Sequence, residues 1–245
     1  MSTKGRFENG IATTYDSVTT ETVGKLAPVV FYDDFIASSL VVPASGSAES
    51  GAMWTKKIVG NGPPTVALTG DINGWAVCTM EASDQAQSAY IHLNDNLPFS
   101  VVNGLIFETK LIVSVLPTLG VEMQWGVGCA YGVPDVMSYS AWFTVDGDGE
   151  VFCETDDNAT DRSVTSGVTV INTVGHYYKI DMSDVTSIKF YIDGVRVAAA
   201  TTFPFVATGA NAQMQPFLGG YKSVGAGTGV GTIAIDYVKL WQKRS

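Results

Sequence analysis

The chain has 245 residues, 46% of them hydrophobic and 16% charged, with 26 glycines and a net charge of −10. That balance belongs to a globular protein with many turns; it excludes a disordered chain and, on average, a basic footprint for nucleic acid or anionic lipid. No uninterrupted apolar run approaches a membrane span, because GLIFETKLIVSVL (104–116) is broken by Glu108, Thr109 and Lys110.

Residues 1–28 are rich in Thr, Ser and Gly and show no clear helical or strand period. They read as an extended arm, ordered only by packing on its own domain or on a partner. The first ten residues lack the apolar core and cleavage site of a secretory signal, so export by that route is not expected. From VVFYDDF onward, strand-like segments alternate with Gly, Pro, Asn and Asp clusters, and a sustained helical period is absent. In residues 104–116, Leu105, Phe107, Leu111, Val113 and Val115 share one parity, while Glu108 and Lys110 share the other. This predicts a long strand with one buried face. WFTVDGDGEVFCE and SIKFYIDGVRV predict hairpins, the second through the Asp193-Gly194 pair that a type I′ turn favours. The closing segment TIAIDYVKLWQKRS places Ile233, Ile235, Tyr237 and Trp241 on one parity, which predicts a final strand with Trp241 in the core. Cys78, Cys129 and Cys153 read as small buried hydrophobes, and His92 and His176 are too isolated for a zinc site. No cofactor is expected.

FYDDF, the long strand, SAWFTVDGDGEVFCETDD, GHYYKIDM, YIDGVRV, QPFLGG and IDYVKLW, in this order, resemble the concanavalin A-like lectin/glucanase superfamily, including laminin-G-like domains and family 16 glycoside hydrolases. The resemblance covers roughly residues 29–243. It implies an all-β fold, a two-sheet antiparallel jelly-roll sandwich over residues 29–245, preceded by the arm, with the first and last strands side by side. GRFENGIATT before FYDDF also resembles the start of structural proteins of tailed bacteriophages.

Three kinds of site follow from the residues. Glycoside hydrolysis needs two carboxylates across the scissile bond, and family 16 enzymes carry them as Glu-x-Asp-x-x-Glu or Glu-x-Asp-x-Glu on one strand. The nearest match, EMQWG, has Glu122 but Gln124 and Gly126 where further acids should stand, so catalysis is not expected. Other acid pairs, Asp156-Asp157 among them, read as strand-end or turn residues. Asp146, Asp148 and Glu150 are weak calcium candidates, because a hairpin loop explains the same acids; no metal is assigned. Trp75, Trp125, Tyr131, Tyr139 and Trp142 are candidates for stacking on a glycan.

The expectation from sequence is therefore a non-enzymatic virion protein, such as a capsid decoration or cement component, made in the host cytoplasm. It would dock through Phe7, Ile11, Tyr15 and Val23 onto capsid proteins or sister subunits of a homo-oligomer, with no nucleic acid or membrane partner. The rivals are a carbohydrate-binding lectin-like module and a family 16-like hydrolase.

Overall fold

The computed structural model describes residues 28–36, 54–60, 64–69, 74–132 and 137–244, and the backbone of strands 3–8, 11–16 and 40–41. In chain order the strands are β1 (Thr3–Glu8), β2 (Ile11–Asp16), β3 (Val29–Asp33), β4 (Leu40–Val41), β5 (Trp54–Val59), β6 (Thr65–Thr69), β7 (Trp75–Met80), β8 (Gln87–His92), β9 (Phe99–Ser100) and β10 (Leu105–Val115). They continue with β11 (Val121–Gly128), β12 (Ser140–Val145), β13 (Glu150–Asp156), β14 (Asp161–Thr169), β15 (Gly175–Met182), β16 (Lys189–Ile192), β17 (Val195–Val197), β18 (Gln213–Lys222) and β19 (Gly231–Gln242). Two short 3-10 turns, Val101–Asn103 and Gly209–Ala212, are the helical elements among the described residues.

Two sheets form a jelly-roll sandwich. The first runs β17-β16-β15-β10-β19-β7-β6, with β3 also on β19; the second runs β14-β13-β12-β11-β18-β8-β5-β4, with β9 also on β18. Their pairings are antiparallel except the short β4–β5 pair. The long strand alternates as its sequence predicts: Leu105, Phe107, Leu111 and Val113 are buried. The two hairpins also form, and Asp193 (φ 50°) and Gly194 (φ 78°) both take the positive φ that a two-residue turn of this kind requires. In the arm, β1 and β2 pair from Thr3↔Asp16 to Glu8↔Ile11, so its backbone is a hairpin rather than one extended segment. Asn9-Gly10 lies between these strands in sequence, a pair that favours such a connection.

The closing strand corrects one expectation. β19 does pair β10 and, through Gln242↔Val29, the first strand of the sandwich. Its register against β10 slips between Lys110 and Leu111, leaving Asp236 without an opposite residue. Such a bulge reverses every side chain beyond it. Ile233 and Ile235 face the core before the bulge, Val238 and Leu240 after it. Tyr237 and Trp241 turn outward, and Lys239 Nζ lies 4.7 Å from the centre of the Trp241 ring. Lys110 fixes the bulge by a 2.8 Å ion pair to Asp236.

Between the sheets, Trp125 and Phe143 of the second meet Tyr178 and Phe190 of the first. Ring centroids are 4.8 Å apart for Trp125–Tyr178 and 5.2 Å for Phe143–Tyr178 and Phe143–Phe190. Burial raises the pKa of the Cys78 and Cys153 thiols to about 12, consistent with their packing as small hydrophobes.

Lys222 closes one end of the sandwich. It is wholly buried, and its ammonium donates to the carbonyls of Glu81 (2.9 Å), Ser83 (2.6 Å) and Gly229 (3.0 Å). Burial lowers its pKa against the pull of Asp84 and Glu81. Replacement Lys222→Met keeps the aliphatic length and removes all three donors, so unfolding free energy should fall by roughly 3 kcal/mol. Urea denaturation reads this directly; an unchanged midpoint would mean that water satisfies the carbonyls instead.

Candidate functional site

β8 and β12 are buried at every residue, on both faces of the second sheet. One face belongs to the sandwich core. The other carries its own aromatic layer: Tyr90, Trp142 and Phe217, with Met137 over them. Tyr90 and Phe217 stand 4.3 Å apart at 31°, and Trp142 and Phe217 6.1 Å apart at 29°. Gly126 explains how Trp142 fits. It lies opposite Trp142 in the register, and a Cβ there would stand 2.3 Å from the Ala141 carbonyl oxygen and 2.5 Å from Trp142 Cα. The position where a third acid was sought on β11 therefore has no room for any side chain.

Beside this layer the same face opens into two adjoining hollows of about 370 and 210 Å³. Both are lined by Glu122 of β11, Glu154 of β13 and Ser163 of β14, so they form one groove. Thr144, Phe152 and Asp146 line one end, and Gln124, Trp142, Asp156 and Asp161 the other. The strand period puts these residues together: in β13, Phe152, Glu154 and Asp156 alternate with buried Val151, Cys153 and Thr155. The β12–β13 register sets Glu154 opposite Trp142, and the β13–β14 register sets it opposite Ser163.

Glu154 is held by three donors. Trp142 Nε1 donates to Oε2 at 2.8 Å, while Thr144 Oγ1 (3.1 Å) and Ser163 Oγ (2.7 Å) donate to Oε1. Across the groove, Tyr90 Oη donates to Gln124 Oε1 at 2.7 Å, and Gln124 Nε2 donates to Glu122 Oε2 at 3.3 Å. Asp156 lies on the same face of β13 as Glu154 and directly opposite Asp161. Burial raises its pKa, and the charges of Asp161 and Asp157 raise it further, against one hydrogen bond from the Asn158 amide. An orientation-locked carboxylate beside one that retains its proton more strongly is the pairing that acid-assisted bond cleavage uses.

Of the aromatic residues singled out in the sequence, the structure brings Trp142 to the groove. Trp125 is fully buried in the core and has no free face for a sugar. Tyr139 packs edge-on against Phe205 at 6.3 Å. Trp75 is on the outer face of the other sheet, with Lys110 Nζ 5.9 Å from its ring centre. Tyr131 covers His92 with stacked rings 5.5 Å apart, away from the hollows. Asp146 Oδ1 accepts the amides of Asp148 (3.0 Å) and Glu150 (2.9 Å), and serves its own hairpin. Among the described residues no group of three or more His, Cys, Asp or Glu could hold a metal. The side chains of Phe7, Ile11 and Tyr15, and the whole of Val23, lie outside the described residues.

No family model and no curated protein matches this chain. Solved structures do. A glycosyl hydrolase family protein from Mycobacterium fortuitum is similar over 86% of this chain and 98% of its own, at 15% identity and a TM-score of 0.55. An endo-beta-1,4-glucuronan lyase from the fungus Trichoderma reesei covers 86% and 94%, at 13% identity and a TM-score of 0.53. Alginate lyase A1-II', of polysaccharide lyase family 7, covers 72% and 84%, at 11% identity and a TM-score of 0.53. The fold is thus a jelly-roll sandwich, related to the concanavalin A-like one, that polysaccharide lyases and glycosyl hydrolase-like proteins share. This corrects the expectation of a non-enzymatic protein, and it gives the virion and capsid expectation no support. The sequence reading looks for the acids of a family 16 pattern along β11 and sets Asp156-Asp157 aside as strand-end or turn residues, whereas the groove gathers acids from β11, β13 and β14.

The Asp161 charge is one of the causes holding the Asp156 pKa up. In Asp161→Asn the Asp156 pKa should therefore fall toward the ordinary carboxylate range, as carbon-13 NMR titration of the side-chain carboxyl would show; an unmoved titration would separate the two groups.

Proposed function

We propose that the protein is a carbohydrate-active enzyme that hydrolyses a glycosidic bond in the groove of its second sheet. The observation that carries this reading is the Glu154–Asp156 pair: two carboxylates on one strand face, one fixed by three donors and one with a raised pKa, in a groove with an aromatic flank. Asp156 is the proton donor to the glycosidic oxygen. Glu154 faces the anomeric carbon and meets the positive charge that develops there as the bond to the leaving oxygen breaks; water supplies the new bond to that carbon, and its released proton replaces the one Asp156 gives up. Phe152 offers apolar surface to the sugar ring, while Trp142 holds Glu154 from behind and Ser163 and Glu122 are placed to bond the sugar hydroxyls.

Elimination from a uronate is the other reaction that neighbours with this fold suggest. It requires a cation or strong donor set to neutralise the uronate carboxylate, and among the described residues those lining the groove include no Lys, Arg or His. Hydrolysis fits the lining better.

Release of reducing ends from a panel of polysaccharides tests the reading. Glu154→Gln and Asp156→Asn should each lower kcat/KM by about 10²–10⁴-fold, with far-ultraviolet circular dichroism unchanged. The wild-type rate should decline as pH rises through the raised Asp156 pKa, because only the protonated acid can donate. Full activity in both variants, or an unsaturated product, would sink the hydrolytic reading.

A further inference from the structure

The outer face of the first sheet carries a hollow of its own, of about 360 Å³. Glu108 of β10, Tyr177 and Lys179 of β15, Tyr191 of β16 and Tyr237 of β19 line it, with Gly194 in the β16–β17 turn. The strand period explains why they gather. Lys179 lies opposite Glu108 on one side and Tyr191 on the other, and one step along, Tyr177 and Tyr237 flank Lys110 from its two sides. The bulge in β19 is what turns Tyr237 toward this face.

The rings are held in place by polar neighbours. Lys179 Nζ lies 5.2 Å from the centre of the Tyr191 ring and Lys110 Nζ 5.6 Å from that of Tyr177, while Tyr237 Oη donates to Glu108 at 2.9 Å. Tyr32 of β3 extends the row, its ring centre 5.8 Å from that of Tyr237, and both Tyr32 and Tyr177 are exposed over half or more of their surface. A tyrosine offers a ligand a stiff apolar ring and a polar tip at low cost in side-chain entropy. The core of a protein–protein contact is depleted of charge, whereas Glu108 and Lys179 stand among these rings. Ring faces interleaved with hydrogen-bonding groups match instead a ligand whose C–H faces alternate with hydroxyls, and the volume lies within the range of small-ligand pockets, about 300–1,000 Å³.

From this arrangement we propose that the hollow binds a segment of a saccharide chain, with sugar rings stacked on Tyr177 and Tyr191 and their hydroxyls bonded by Glu108, Lys179 and the tyrosine hydroxyls. It is a second contact for carbohydrate, on the sheet opposite the groove, and it does not depend on the groove being catalytic. A polymer held at such a contact stays near the protein between encounters with the groove, which raises its local concentration there.

The test is NMR of the full chain carrying Glu154→Gln, with carbon-13 in the tyrosine rings, titrated with hexamers of β-1,4-linked glucose, β-1,4-linked xylose and mannuronate. Tyr177 and Tyr191 report the hollow, and Tyr90, bonded to Gln124 beside the groove, reports the groove separately. With at least one hexamer the Tyr177 and Tyr191 signals should shift and saturate. Tyr191→Ala should weaken the affinity read at Tyr177 roughly tenfold, while Tyr191→Phe, which keeps the ring, preserves it. An affinity unchanged in Tyr191→Ala would overturn the proposal, and so would a failure of Tyr177 and Tyr191 to respond to any hexamer; movement of Tyr90 in that case would leave the groove standing. If the two signals move only when the protein is concentrated without sugar, the face is a contact between copies of this chain and the proposal falls.

Discussion

The second sheet is buried on both of its faces at β8 and β12, and the rest of the molecule follows from that constraint. A sheet in a sandwich ordinarily has one packed face and one wet one. Here Met123, Trp125, Phe143 and Leu218 supply the packed face, and Tyr90, Trp142 and Phe217 build a second apolar layer on the other. Polar groups set into that layer cannot rely on water, so they must satisfy one another. Tyr90 therefore bonds Gln124, Gln124 bonds Glu122, and the Trp142 indole bonds Glu154. The same hydrogen bonds that make the apolar layer tolerable also fix the carboxylates at the edge of the groove.

On the first sheet, charge is handled differently. The bulge in β19 turns Tyr237 and Trp241 outward, and Lys110, Lys179 and Lys239 lie over exposed or half-exposed rings there. Burial raises the Tyr237 pKa above the usual phenol range, and the hydrogen bond its Oη donates to Glu108 at 2.9 Å and the neighbouring negative charge raise it further. Cations stand beside acids on that surface, whereas the charged residues lining the groove, among those described, are acids.

Much of the fold was legible in the residues because it depends on period and on turn chemistry. The alternation of 105–113 and the Asp193-Gly194 pair are local signals that tertiary packing had no reason to override. The final strand was legible as a strand but not in its facing, since an unpaired Asp236 reverses the parity and nothing local in IAIDYVKLW marks the slip. The arm hairpin had a signal, Asn9-Gly10, that its Thr- and Ser-rich surroundings obscured.

The site was less legible for a related reason. Glu154 and Asp156 were visible as acids at the end of a hairpin strand, but their meeting with Glu122 and Asp161 depends on the order of four strands in a sheet, which no local window contains. Trp142 stood out as an aromatic residue, while its role as a donor to Glu154 follows only from the β12–β13 register. A crystal structure of the Glu154→Gln variant soaked with a neutral hexasaccharide tests the central claim most directly. Sugar rings lying along the groove beside Phe152, Glu154 and Asp156 are the expected result; rings on the outer face of the first sheet, around Tyr177 and Tyr237, with the groove empty, would contradict it.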